Sequence, residues 1–274
     1  MAEAEAPKRH RRRNPFARRR EKRQREATMS VMGHLTELRQ RLVKSALAFV
    51  LISIVVFIFY DPVADFLREP LCQNRDLLPE RDCTLKVFKP TAGLNFRLKV
   101  TALGGMALSS PIWLYQLYAF IVPGLTKKER NYALPFLLSA IVLFLIGGVL
   151  AYFTLSTGLR VLFQLGGEGV DALIGAEEYL DFVGFLLLGF GVMFELPLLL
   201  VFLGLAGVIT TAQLRHHRRT AIVAIFVLSA IVTPSQDPYT MSAMAVPLYF
   251  LYEMTILVVA LLTKRRKKRE AAEP

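Results

Sequence analysis

Long uncharged apolar runs alternate with basic blocks along this chain, and that pattern decides the class of fold. Residues 1–41 hold 13 Lys and Arg and residues 264–269 hold six more, whereas long stretches between them carry no charge. Hydrophobic residues make up 54% of the 274-residue chain. A soluble domain does not separate its charges from its apolar residues in this way. The sequence therefore predicts an all-α, polytopic integral membrane protein.

The apolar runs are read as six transmembrane helices. A crossing helix needs about 20 mainly apolar residues. The last apolar stretch, residues 220–263, is too long for one span, and Thr233–Pro238 divides it with proline, small polar residues and Asp, which are typical of a turn. The other four predicted spans are residues 42–60, 100–122, 134–156 and 182–208.

The distribution of Lys and Arg predicts that both ends of the chain lie in the cytoplasm. With the N-terminus inside, the inside segments carry 25 Lys and Arg and the outside segments carry six. Basic residues near span ends favour the cytoplasmic side. We expect a basic tail over residues 1–29, a six-span domain over 30–263 and a second basic tail over 264–274. The N-terminal tail is interpreted as an arm attracted to anionic lipid and not as a nucleic-acid-binding segment.

The fifth predicted span is short. Only 14 residues lie between Arg219 and Pro234, which is about 21 Å of helix at 1.5 Å per residue. The hydrocarbon core is about 30 Å thick. We expect this helix to lie against neighbours or beside a locally thin bilayer.

The two cysteines, Cys72 and Cys83, both fall in the first predicted outside loop. Thiols this close in sequence, on the oxidising side of a membrane, are candidates for a disulfide. The alternative is two free thiols.

Carboxylates at four positions have both structural and functional interpretations. Glu37 precedes the first span on a helix expected to lie in the cytoplasmic interface before turning into the membrane, and it can pair with Arg41 at i,i+4. Glu129 follows Pro123-Gly124 and completes a capping box with Thr126. In a basic loop, the same carboxylate could instead take a guanidinium in a bidentate pair.

Glu195 and Glu253 lie near the middle of spans four and six. An ionisable residue inside the membrane is a functional candidate by default, and the alternative is a carboxyl that joins two helices through hydrogen bonds. Near the inner interface, Trp113, Tyr115 and Tyr118 are interpreted as an aromatic belt.

Four blocks in order resemble the TatC component of the twin-arginine translocase, and the similarity runs from about Ser30 to Thr263. The blocks are His34 to Leu42; Ser110-Pro111 through Gln116, Phe120 and Pro123-Gly124 to Glu129; Phe190-Gly191 to Glu195 and Pro197; and Thr233-Pro234 with Asp237. The resemblance implies a receptor for signal peptides with paired arginines, in the bacterial cytoplasmic membrane. It implies export of folded proteins, driven by the proton gradient, with the single-span partners TatA and TatB and with self-association.

The resemblance also implies roles for individual residues. Glu129 and Glu37 match the acidic residues of the signal-peptide site, and Arg39, Gln116 and Phe120 belong beside it. Glu195 matches a membrane-embedded glutamate. Thr233 and Asp237 match the tight outer turn near the site of partner contact. Met241 replaces the glutamine of some family members there, and Thr233 and Ser242 remain as polar residues.

Two other classes of function are alternatives. A proton- or ion-coupled solute transporter would use Glu195 and Glu253, and it is the main alternative. A membrane-embedded hydrolase is disfavoured, because no nucleophile–base arrangement is recognisable in the spans. The sequence predicts no cofactor and no metal site, since it has no phosphate-binding glycine loop and its paired His216-His217 lacks further ligands nearby.

Overall fold

The computed structural model describes residues 31–78, 83–121, 133–165, 174–233 and 237–270. Within these residues the fold is all-α, as predicted, with one isolated bridge between Lys86 and Gly175. The α-helices are α1 Val31–Ile58, α2 Tyr60–Cys72, α3 Ala92–Leu108, α4 Ser110–Ile121, α5 Ala133–Leu165, α6 Ala176–Met193, α7 Glu195–Leu205, α8 Thr211–His216, α9 Arg218–Val232 and α10 Pro238–Glu270. A short 3-10 helix covers Arg75–Leu77.

The chain divides into two compact units, residues 1–43 and residues 44–274. The described part of the first unit is helical throughout. The second unit contains the core. The predicted boundaries at residues 29 and 263 stay predictions.

Helix α1 contains the Glu37 block, whose place in the cytoplasmic interface stays a prediction. One helix runs from Val31 to Ile58 and includes both the Glu37 block and the first predicted span. The physical reason is that no proline or glycine lies between His34 and Tyr60, so nothing in the sequence interrupts the backbone hydrogen bonds.

Four helical segments in the described residues are long and apolar enough to cross a membrane: Met32–Ile58, Leu134–Leu165, Ala176–Leu205 and Pro238–Lys264. The second and fifth predicted spans are also helical. They correspond to α3 with α4 and to α9, none of which exceeds 17 residues. The count of six spans and the side on which each end lies stay predictions.

Two predicted spans are each built from two helices, which corrects the expectation of single helices. Span two breaks at Ser109, and span four breaks at Phe194. Each break is followed by a proline in the first turn of the next helix, Pro111 or Pro197. Proline lacks an N–H, so Pro197 leaves the carbonyl of Met193 without its i+4 donor, whereas a first-turn position tolerates it.

Helices α5 and α6 approach closely at the centre of the core. A Cβ placed on Gly147 would lie 2.7 Å from the carbonyl oxygen of Phe190, so only glycine fits at this crossing. Small residues permit such close packing between membrane helices. The neighbouring side chains of Leu155, Val183 and Leu186 are completely buried.

The two predicted outside loops pack together. A disulfide joins Cys72 to Cys83, with Cα atoms 5.1 Å apart. Beyond Cys83, Lys86 exchanges backbone hydrogen bonds with the segment before α6, donating to Ile174 O (2.9 Å) and accepting from Ala176 N (2.9 Å). The disulfide and these two hydrogen bonds together link the end of α2, through residues 83–86, to the start of α6.

Side chains of α5 and α6 complete the backbone hydrogen bonding of α2. Pro70 cannot donate to the carbonyl of Phe66, and Tyr152 OH donates to it instead (3.1 Å). Tyr179 OH donates to the carbonyl of Leu67 at 2.7 Å. Buried carbonyl groups need such donors.

Candidate functional site

Glu37 is ion-paired in the structure. Its Oε1 accepts hydrogen bonds from Arg41 Nε at 3.0 Å and Arg41 Nη2 at 2.5 Å, which is the i,i+4 pair that the helix spacing allows. Glu37 Oε2 is buried and has no hydrogen-bond partner among the described residues. Half of this carboxylate is therefore engaged and the other oxygen lacks a partner. Arg39, on the same helix, is exposed.

Glu129 lies outside the described residues, as do Thr126 and the Pro123-Gly124 turn. Its predicted role therefore stays a prediction. Gln116 and Phe120, which the resemblance assigns beside it, are half-buried residues of α4.

Helix α4 is anchored on α5 and α7 through two of the three aromatic residues predicted to form a belt. The ring of Trp113 packs edge-on against Phe144, with centroids 5.3 Å apart, and its indole N–H donates to Met106 O at 3.2 Å. Tyr115 is exposed, as a belt residue should be. Tyr118 instead faces Glu195.

Glu195 opens α7 immediately after the break at Phe194. Its Oε2 accepts a long hydrogen bond from Tyr118 OH, at 3.4 Å, and its Oε1 is buried without a hydrogen-bond partner in the described part of the chain. Sequence reasoning missed Tyr118 as the partner. A carboxyl in an apolar segment needs a hydrogen-bond donor. The sequence does not indicate that Tyr118 is this donor, because it lies 77 positions away from Glu195.

Glu253 has two hydrogen-bond partners in the structure, on two different helices. Its Oε2 lies 2.7 Å from Arg218 Nη2 at the start of α9, and its Oε1 accepts from Tyr249 OH at 3.1 Å. The first turn of α9 thus lies level with Glu253 on α10. Glu253 joins two helices, which was the structural alternative.

Thr233 and Asp237 flank the predicted outer turn and have structural partners. Thr233 OH donates to Ser229 O at 2.8 Å, and Asp237 Oδ1 accepts from the backbone N–H groups of Tyr239 (3.0 Å) and Thr240 (2.9 Å). Asp237 therefore caps the N-terminus of α10. Both side chains are buried, whereas Ser242 is half-buried. Pro234–Gln236 lie outside the described residues.

The described residues contain no group of three His, Cys, Asp or Glu side chains that could hold a metal ion. Their polar clusters are ion pairs and helix caps. The chemistry that these groups support is recognition of charged donors and joining of helices.

Comparison with known proteins identifies the family. The family model for the Sec-independent protein translocase protein (TatC) matches residues 33–247. A curated relative of the same name from Frankia casuarinae is 41% identical over 256 residues, covering 91% of this chain and 70% of that protein. One from Aquifex aeolicus is 37% identical over 247 residues, covering 89% of this chain and all of that protein.

This chain covers different fractions of the length of its relatives. The chain spans 65% of the length of a relative from Corynebacterium kroppenstedtii, to which it is 35% identical. Among solved structures, a crystal structure of the twin arginine translocase receptor TatC superposes with a TM-score of 0.69 at 36% identity, covering 84% of this chain and 99% of that one. A second TatC structure, in DDM, gives a TM-score of 0.70 at 37% identity, covering 82% and 98%. The chain belongs to the TatC family of Sec-independent protein translocase proteins.

Proposed function

We propose that this chain is the signal-peptide receptor and core subunit of the twin-arginine translocase, exporting folded proteins by means of the proton-motive force. As a TatC protein it is a translocase subunit and a multi-pass protein of the bacterial cytoplasmic membrane. The observation that carries the receptor role is its likeness, at 36% identity and a TM-score of 0.69, to a structure described as the translocase receptor.

The chemistry of recognition follows from the two carboxylates Glu37 and Glu129. A twin-arginine segment presents two planar guanidinium groups that remain charged at all physiological pH values. Hydrogen bonds to charged groups contribute about 1.5–3 kcal/mol each. A carboxylate that accepts both N–H groups of a fork discriminates arginine from lysine, which has no fork.

The pairing of Glu37 defines what a signal peptide must do on binding. Arg41 occupies Oε1, so an incoming guanidinium either uses Oε2 or displaces Arg41. An i,i+4 pair contributes only about 0.3–0.5 kcal/mol. Displacement by a bidentate arginine is therefore favourable. We assign Arg39, Gln116 and Phe120 to the surroundings of this site.

The receptor role is tested in cells that lack their own TatC and express this chain. With a photo-crosslinker placed beside the twin arginines of a reporter, crosslinking of the reporter to this chain and its export are measured for Glu37→Gln and Glu129→Ala. Glu178→Gln, an exposed carboxylate in the first turn of α6, is the matched control. We expect both receptor variants to lose crosslinking and export while still inserting in the membrane. Unchanged export in Glu129→Ala would refute the assignment.

The energy source and the partners are tested separately. A protonophore should stop export of the reporter without reducing its crosslink to this chain, because binding precedes transport. We propose TatA and TatB as partners, and self-association, with contact near Thr233, Asp237 and Ser242. Of these three side chains Ser242 is the most accessible, so crosslinking from position 242 is the sharper test.

The alternative of a proton- or ion-coupled solute transporter loses support. It would use Glu195 and Glu253, and in the structure Glu253 is paired with Arg218. The transporter would be favoured only if Glu195→Gln abolished solute flux while signal-peptide crosslinking stayed intact.

A further inference from the structure

An apolar groove runs between α1 and α3 within the second unit of the chain. It encloses about 270 Å³ and is lined by α1 from Phe49 to Phe57 and by Leu98, Thr101 and Ala102 of α3. Eight residues of α1 correspond to about 12 Å of length. A second groove of about 710 Å³, between α3 and α6, shares Phe49 and Ala102 as part of its lining.

Arg97 lies at one end of the smaller groove in a fixed position. Its guanidinium carbon is 4.5 Å from the ring centroid of Phe57 and 4.9 Å from that of Tyr60, and its Nη2 lies 3.5 Å from Phe57 O. Two aromatic contacts of this kind hold a guanidinium by its face and leave N–H groups at its edge.

The acidic residues nearby leave Arg97 without an ion pair among the described residues. Asp65 pairs with Arg68 one turn along α2. Asp61, near the start of α2, forms no salt bridge with Arg97 either. The side chain of Arg97 is exposed. An exposed cation at the end of an apolar groove thus has no anionic partner in the part of the chain that the structure describes.

We expect Arg97 to lie near the head-group level of the bilayer. Phe57 is in the last turn of the span that ends at Ile58, and Arg97 precedes the predicted second span by three residues. Tyr60, the second ring against Arg97, is of a residue type enriched at the membrane–water interface. The groove continues from this level toward the bilayer centre.

We propose that this groove binds a phospholipid, with its phosphodiester against the Arg97 guanidinium and one acyl chain along Phe49–Phe57. One ligand then satisfies both features, because arginine matches the geometry of phosphate oxygens and an acyl chain covers apolar side chains. A phospholipid is the molecule present at this depth in every bilayer. The site does not depend on the receptor role of Glu37 and Glu129.

The test uses the full-length protein in detergent and phosphatidylglycerol as the probe. Native mass spectrometry measures retention of one bound lipid, and a diazirine at the end of an acyl chain maps its position by crosslinking. Arg97→Gln should lower retention about tenfold, as expected from loss of a charge-assisted contact. Arg160→Gln, an exposed arginine paired with Asp76, is the control and should retain the lipid.

A second pair of variants tests the groove itself. Ala102→Phe fills the groove from an exposed position and should abolish the crosslink to residues 49–57, whereas Ala107→Phe, exposed on the same helix and outside both grooves, should not. Diacylglycerol with the same chains should bind about tenfold more weakly. Equal retention in Arg97→Gln and wild type, an unchanged crosslink in Ala102→Phe, or equal binding of diacylglycerol would each overturn the proposal.

Discussion

The guanidinium of Arg218 at the start of α9 lies 2.7 Å from the Glu253 carboxylate on α10, and this pair fixes the level at which the short helix meets the last one. Helix α9 has 15 residues, or about 22 Å, and it is shorter than a hydrocarbon core of about 30 Å. The ion pair lies at the start of α9, and Asp237, which caps the N-terminus of α10, follows its end.

Exchange of the two charges tests the pair. We expect Arg218→Glu and Glu253→Arg each to destabilise the protein, and the double variant to recover about 1 kcal/mol in a double-mutant cycle, since the pair is partly exposed. Unfolding in mixed micelles supplies the measurement. Arg219→Glu, exposed on the same turn, should show no coupling to Glu253→Arg. Coupling that is equal for both arginines would contradict the pairing.

The sequence was sufficient for the all-α class and for the short fifth helix, because both depend on local properties, namely apolar length and the residues that break helices. The division of span two at Ser109 and of span four at Phe194 was missed, although Pro111 and Pro197 offered a signal. The sequence did not predict that Tyr118 contacts Glu195, since 77 positions separate them. Nor did it predict the contact between Arg218 and Glu253, which are 35 positions apart. Such contacts depend on how the helices pack against each other, and the residues next to each carboxylate in the sequence do not reveal that packing.

The hydrogen bond between Tyr118 and Glu195 should make their substitutions non-additive. Tyr118→Phe removes the one donor that the described residues offer to Glu195, and an unsatisfied buried carboxyl costs about 1–3 kcal/mol. Adding Glu195→Leu should recover most of that loss, because removing both partners leaves no orphaned polar group. Tyr115→Phe, an exposed neighbour on α4, is the control and should leave stability unchanged. Strictly additive losses for residues 118 and 195 would rule out their contact.

The disulfide should be detectable by thiol labelling of the intact protein. Without reduction, maleimide should label neither cysteine, and after reduction two labels should appear by mass spectrometry. Cys72→Ser should expose Cys83 to a single label. In the chain-entropy model, closing a loop across 11 positions contributes about 3 kcal/mol, so Cys72→Ser should also lower stability. Labelling of both thiols without reduction would show that they are free.

The N-cap of α10 predicts a difference between two substitutions of Asp237. Asp237→Ala removes the acceptor for the N–H groups of Tyr239 and Thr240 and should cost about 1 kcal/mol. Asp237→Asn keeps an acceptor oxygen and should be nearly neutral in unfolding measurements. If Asp237 served only in contact with a partner, both variants would be as stable as wild type and would differ solely in partner crosslinking.

The pair between Glu37 and Arg41 predicts an opposite effect of two neighbouring substitutions on signal-peptide binding. Glu37→Gln should weaken binding, because the amide is uncharged and cannot accept a bidentate pair of hydrogen bonds from a guanidinium. Arg41→Gln removes an internal competitor for Oε1, and the pair contributes about 0.3–0.5 kcal/mol, so affinity for a twin-arginine peptide should rise about twofold. Titration of a labelled peptide against purified protein measures both. Lys44→Gln, exposed on the same helix, separates loss of this competitor from a general loss of positive charge. A fall in affinity for Arg41→Gln would instead show that Arg41 orients the carboxylate for its ligand.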